Sequence, residues 1–201
     1  MITTKNIYYS QKLVITAGPW AAKLIPGMSE QLKITRQFVA WIKPKNRKEF
    51  ELGNFPCWML ADDEKPGAFY GFPALAVKEF GEPDGLKLAW HYPGKPTDPD
   101  QVNREATAED FQPLQYALQK YLPGSFESIL TTKTCLYANS PDENFIVDKL
   151  PGFEENVVIA CGFSGHGFKF VPVIGEILAD FSIEGKTNHP IGFLNAKRFI
   201  E

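Results

Sequence analysis

Asn156-Val157-Val158-Ile159-Ala160-Cys161-Gly162-Phe163-Ser164-Gly165-His166-Gly167-Phe168-Lys169-Phe170 reads as a strand, a glycine-rich turn and the opening of a helix. The continuous apolar run 157–161 suits a strand covered on both faces. Glycines at 162, 165 and 167 allow backbone N–H groups to approach a ligand closely, and helix N-termini favour negative charge. Their spacing is not the G-x-G-x-x-G of a dinucleotide site, and no such fingerprint occurs in the 201 residues. On spacing alone the turn fits either a ligand loop or a plain tight connection.

Outward from this stretch, Tyr8–Thr16 reads as a strand, and Ala17-Gly18-Pro19-Trp20 turns into a short helix ending near Leu24. Lys33–Lys43 reads as a second strand closed by Pro44, with further strands expected over 56–61, 68–74, 85–91, 127–138 and 144–148. In Gly85-Leu86-Lys87-Leu88-Ala89-Trp90-His91, alternation places Leu86, Leu88 and Trp90 on one face and Lys87, Ala89 and His91 on the other. An amphipathic helix is expected from an Asp110 cap, with Pro113 in its first turn and a stripe of Phe111, Leu114, Leu118, Tyr121 and Leu122. A last helix runs from near Gly167 to Ile183, before Gly185. The order is αβ at both ends with an antiparallel-looking middle, an α/β (α+β) pattern.

Composition narrows the function. A net charge of -3 argues against nucleic acid as the main partner. No apolar run approaches the roughly 20 residues of a membrane span, and the start lacks a signal-peptide core. Three dispersed cysteines suggest neither a disulfide framework nor a metal site, and fit a reducing, cytoplasmic setting. Sixteen phenylalanines suit a thick core or an aromatic-walled pocket.

Five segments, KLVITAGPWAAKL (12–24), FYGFP (69–73), GLKLAWH (85–91), CLYANSPDENFIVD (135–148) and VVIACGFSGHGFKF (157–170), carry a family resemblance. In their order and spacing the chain resembles the C-terminal half of the monomeric sarcosine oxidase and N-methyltryptophan oxidase family of flavoenzymes. Members run to nearly twice this length, their N-terminal half binding the ADP part of FAD through G-x-G-x-x-G. The resemblance implies a strand-rich substrate domain (31–150, with an antiparallel or mixed sheet) flanked by the closing αβ parts of an FAD-binding domain (1–30 and 151–201). The ADP-binding half is then expected to be absent, making the chain a fragment, a truncated reading frame or one piece of a split gene. Met1–Asn6 do not continue a family-like strand, and the loop Ala76–Asp84 is longer than in sarcosine oxidase, which leaves the substrate open.

The resemblance also implies roles. Cys135, in Cys135-Leu136-Tyr137, matches the cysteine that holds FAD covalently, which requires a thiolate; Cys57 and Cys161 read as ordinary small residues. Lys87 matches a lysine beside the flavin N5 edge, where a cation stabilises negative charge developing on O2. His91, four residues on, matches an active-site histidine. Lys169 and Tyr70 match groups at the substrate carboxylate, while Tyr137, Phe72 and Met59 match pocket positions at which core packing explains the residues almost as well. Gly165, His166 and Gly167 match flavin contacts, and Gly18 and Trp20 an earlier strand–turn contact. The implied activity is an FAD-dependent amine oxidase acting on the C–N bond of N-methyl amino acids with O2, giving H2O2. Partners would be the small amino acid, O2 and a separate N-terminal half. Two other outcomes stay open: a catalytically silent, cofactor-free fragment, or a flavin dehydrogenase of the wider D-amino-acid and glycine oxidase group.

Overall fold

A computed structural model describes residues 1–91 and 94–199. Its strands are β1 (Leu13–Ile15), β2 (Lys33–Pro44), β3 (Trp58–Ala61), β4 (Ala68–Phe72), β5 (Leu86–His91), β6 (Lys95–Pro96), β7 (Phe126–Asn139), β8 (Ile146–Lys149) and β9 (Val157–Cys161). The α-helices are α1 (Ala21–Leu24), α2 (Arg47–Phe50), α3 (Val77–Phe80), α4 (Ala108–Tyr121) and α5 (Val171–Ile183). The chain forms two compact units, one of Met1–Ile34 with Tyr137–Glu201 and one of Thr35–Leu136.

The first unit is built on a sheet of order β1-β9-β8. Strand β9 runs parallel to β1 (Leu13↔Val157, Ile15↔Ile159) and antiparallel to β8 (Ile146↔Cys161, Lys149↔Val158). Every residue from Val158 to Cys161 is buried. The alternation sends Val158 and Ala160 against Ile174, Ile177 and Leu178 of α5, together with Phe145, Val147 and Leu194. The i, i+3, i+4 spacing of Ile174, Ile177 and Leu178 is the apolar stripe that seats α5 on the sheet. Each such fully buried aliphatic side chain contributes about 1.5–3 kcal/mol.

In the second unit, β3-β4-β5-β2-β6 form one sheet, with β7 also paired to β2. Leu86 and Leu88 of β5, Ala40 and Ile42 of β2 and Phe69 of β4 face one way and pack with Leu114, Ala117 and Leu118 of α4. Asp110 is not the cap of α4: Thr107 is, accepting from the Asp110 N–H, while Asp110 reaches back to the Thr107 N–H at 2.8 Å in a capping box. The helix thus begins earlier than the apolar stripe suggests, and Pro113 falls inside it, where it removes one i→i−4 bond. The same carboxylate pairs with Arg36 at 2.5 Å, both side chains being largely buried.

A second acidic group ties the β3–β4 turn to α4. The Asp62 carboxylate, with no side-chain exposure, accepts from Tyr121 Oη at 2.6 Å, Tyr116 Oη at 3.0 Å and Lys120 Nζ at 3.2 Å. The Tyr121 hydroxyl above all, with the Glu64 N–H, Tyr116 and Lys120, holds that carboxyl well below the usual carboxylate range despite the opposing effect of desolvation.

Other boundaries differ from the sequence expectation. The first strand shrinks from 8–16 to Leu13–Ile15, because only that stretch has β9 beside it. The last helix opens with a 3-10 turn, Phe168–Phe170, before α5. Helices α2 and α3 have one turn each, too short to carry an apolar period.

Candidate functional site

In the second unit, five of the expected site residues share one sheet face. Antiparallel neighbours directly opposite one another project to the same side. Lys87 lies opposite both Trp41 and Phe72, and Ala89 lies opposite both Val39 and Tyr70, with Met59 opposite Tyr70. His91, opposite Ala68, follows on the same face by the period of two. This is the face away from the α4 core. Phe72 and Met59 are exposed on it, and Tyr70, Lys87 and His91 are half-buried. Tyr70 and Phe72 meet edge to face with ring centroids 6.3 Å apart. Thus Lys87, His91, Tyr70, Phe72 and Met59 form one polar and aromatic surface, although they come from three strands.

Cys135, on β7, has an exposed thiol, as has Cys57. Cys161 is buried, and desolvation pushes its thiol up to about 12, which keeps it protonated and unreactive. The chemistry of the three cysteines is therefore set by position, and Cys135 meets the accessibility that a covalent link demands.

In the first unit, β1 and β9 are parallel neighbours, so the turns that leave them emerge at the same end of the sheet. The carboxyl end of parallel strands is where open α/β sheets bind ligands. From β1 comes Gly18, with φ +54, and the 3-10 turn Gly18–Trp20, closed by Trp20 N–H donating to the Ala17 carbonyl at 3.0 Å. From β9 comes Gly162–Gly167, with left-handed φ at Gly162 (+65), Ser164 (+47) and Gly165 (+79).

Ser164 is a strained non-glycine residue held by its own bonds. Its N–H donates to the Ala138 carbonyl at 3.0 Å, its hydroxyl donates to the Gly162 carbonyl at 3.2 Å, and Ser140 N–H donates to that hydroxyl at 3.2 Å. This anchor escaped the sequence reading; a hydroxyl residue among turn glycines was its only signal. At Gly165 a Cβ would press on the Tyr137 ring, so glycine is needed for the ring to lie against the backbone. Tyr137 and the glycine turn, expected from separate motifs, are brought together here.

His166 Nδ1 lies 3.1 Å from the Ser164 carbonyl oxygen, and its ring packs on Phe145 with centroids 4.8 Å apart. His166 and Lys169 both line a cleft of about 400 Å³ beside α5, whose walls include Phe145, Phe170 and Phe193. The N–H groups that open the 3-10 turn at Phe168 and Lys169 have no intrahelical acceptor, and the surface around them (165–170) is mostly exposed. Among the described residues no cluster of three or more His, Cys, Asp or Glu side chains is placed to hold a metal ion. No helix among them is long and apolar enough to cross a membrane.

Residues 2–181 match the family described as FAD dependent oxidoreductase. Monomeric sarcosine oxidase of Streptomyces avermitilis is 36% identical over 197 residues, covering 98% of this chain and 50% of that enzyme. N-methyl-L-tryptophan oxidase of Salmonella dublin is 39% identical over 190 residues, covering 92% of this chain and 47% of that enzyme. Among solved structures, L-proline dehydrogenase from P. horikoshii superposes with a TM-score of 0.73 at 24% identity, covering 98% of this chain and 49% of the other. The chain spans about half the length of the relatives it matches.

Proposed function

Because the chain belongs to the FAD dependent oxidoreductase family, we propose that it is the flavin-ring and substrate half of an oxidase of N-methyl amino acids such as sarcosine or N-methyltryptophan, yielding H2O2 from O2. The observation that carries this reading is the gathering of Met59, Tyr70, Phe72, Lys87 and His91 on one open sheet face.

The residues present fit a flavin ring. The Gly162–Gly167 turn offers close backbone approach, and the Tyr137 ring seated against Gly165 adds an aromatic surface beside it, which suits a flat group. The turns from β1 and β9, with Gly18, Trp20, Gly165, His166 and Gly167, would hold its polar edge near open helix N–H groups. Cys135 would hold it covalently through its exposed sulfur. When bound, the flavin supplies the two-electron chemistry of amine oxidation and O2 reduction.

The chain's own side chains then bind and orient. Lys169 and Tyr70 are each proposed, from the family resemblance, as a group for the substrate carboxylate, and a charge-assisted contact from a lysine fixes the substrate's direction. Phe72 and Met59, on the sheet face that carries Tyr70 and Lys87, wall the substrate, and Tyr137 is proposed as a pocket residue from its motif alone. His91, on the same strand face as Lys87 but separated from it by Ala89, donates or accepts a hydrogen bond to the substrate, and the Lys87 ammonium stabilises negative charge as it develops on oxygen. The imine product is released to water and hydrolyses.

In this reading residues 1–30 and 151–201 are the closing parts of an FAD-binding domain and 31–150 the substrate domain, in a protein of a reducing compartment such as the cytoplasm. A further polypeptide segment would supply the ADP-binding half. The β1 edge favours this, since among the described residues β1 pairs only with β9, and parallel sheets are ordinarily covered and extended.

The test is to co-express the chain with a segment bearing G-x-G-x-x-G and precipitate the product in acid. Yellow colour is expected to stay with the protein at about one flavin per chain and to be lost in Cys135→Ser, with H2O2 released on adding sarcosine or N-methyltryptophan. A colourless wild-type pellet would sink the covalent link, and a yellow enzyme inert to both amines would sink the substrate class.

A further inference from the structure

Lys87 is flanked by two aromatic rings rather than by a carboxylate. Lys43, on β2 of the same sheet, pairs with Glu127 at 2.6 Å, and Lys95 of β6 pairs with Glu109 at 3.4 Å. Among the described residues Lys87 has no carboxylate within ion-pair distance. Its ammonium instead lies 5.1 Å from the centroid of the Trp41 ring and 5.2 Å from that of Phe72. Both distances fall within the range of about 6 Å over which a ring face attracts a cation. The register explains the geometry, because Trp41 and Phe72 are the two residues directly opposite Lys87, one on each neighbouring strand.

We propose that Trp41 is a positioning residue for Lys87, forming with Phe72 a two-ring clamp that fixes the ammonium on the open face without neutralising it. A carboxylate would fix the same cation but cancel its field. Ring faces attract through their quadrupole and carry no net charge, so the ammonium's field still reaches an anion nearby. The rings also displace water from both flanks, leaving less solvent to screen that field. The functional side of the inference rests on the reading of Lys87 as the cation at the flavin; the clamp itself belongs to the chain alone.

The clamp is tested on the full chain labelled with 13C at the lysine ε-carbons. The Lys87 ε-methylene signal, assigned by its loss in Lys87→Met, is expected upfield of the other lysines through the ring currents, with nuclear Overhauser contacts to the Trp41 indole. Trp41→Leu should move it toward the other lysines, and Trp41→Phe should hold it upfield. Absence of the indole contacts in the wild-type chain would overturn the clamp, and that measurement needs no variant to fold. In the completed, FAD-loaded enzyme, Trp41→Leu should slow reoxidation by O2 by about three- to tenfold, the scale of a half-exposed cation–ring contact. Anaerobic reduction by substrate should hold, and Trp41→Phe should recover most of the loss. Equal slowing of both steps, or of neither, would overturn the positioning role. If Lys87→Met leaves O2 reactivity intact while the ring-current shift is present, the reading of Lys87 fails and the clamp stands.

Discussion

Gly165→Ala tests the glycine turn most directly, because two separable costs meet at that position. The first is backbone strain. Gly165 has φ +79, and an L-residue in the left-handed region costs about 1–2 kcal/mol. The second is steric: the new Cβ would press on Cε2, Cζ and Cδ2 of Tyr137, at 2.5 Å from Cζ. Forcing a methyl into a filled space typically costs about 1–3 kcal/mol, so the whole change should destabilise by about 2–5 kcal/mol. Gly152 provides the control, having the same φ of +79 but nothing within 4 Å of its virtual Cβ. Gly152→Ala should therefore cost only the backbone part, about 1–2 kcal/mol. Urea unfolding of the wild type, both alanine variants, Tyr137→Ala and the Tyr137→Ala/Gly165→Ala double variant measures each quantity from the shift in midpoint at constant slope. With the ring removed, Gly165→Ala should cost no more than Gly152→Ala, giving a coupling of about 1–3 kcal/mol between positions 137 and 165. Gly165→Ala costing the same with and without the ring would refute the argument that the turn and Tyr137 share one packed surface.

Two further outcomes follow from the electrostatics and the cysteines. The Asp62 carboxyl is held below its ordinary value, so its contribution is complete above about pH 4 and is lost as pH falls from there toward the native-state value. The midpoint of urea unfolding should accordingly drop between neutral pH and about pH 3, and drop less in Asp62→Asn; parallel curves for the two proteins would contradict the network around Tyr116, Tyr121 and Lys120. Asp110 and Asp142, lowered by Arg36 and Arg198 against the desolvation of burial, keep a residual slope in that variant. Thiol titration of the native chain should label Cys57 and Cys135 quickly and Cys161 only after denaturation; three thiols reacting at one rate would show that the β9 core is open.

Much of this arrangement is legible in the residues because it is periodic. The alternation in Leu86–His91 sorts Lys87 and His91 from Leu86 and Leu88, and burial follows that sorting. The apolar run of β9 and the glycines after it likewise declare a covered strand and a turn. What escapes is what depends on partners distant in sequence. Asp62, in Ala61-Asp62-Asp63-Glu64, reads as one more solvated turn residue until Tyr116 and Tyr121 of α4 close over it. Trp41 looks like one aromatic residue in a strand until its register puts it opposite Lys87. Asp110 looks like a cap because the apolar stripe starts beside it, whereas capping depends on where the backbone first turns, at Thr107.

The sequence by itself determined the α/β character, the strand–glycine–helix connection, the apolar faces and the five family segments, since local periodicity and glycine placement act over a few residues at a time. Only the tertiary structure decided that Met59, Tyr70, Phe72, Lys87 and His91 share a face, that Tyr137 needs Gly165, and that Cys161 is sealed while Cys135 is open. Register and burial are set by pairings between segments far apart in the chain, and no local pattern encodes which residue will stand opposite which.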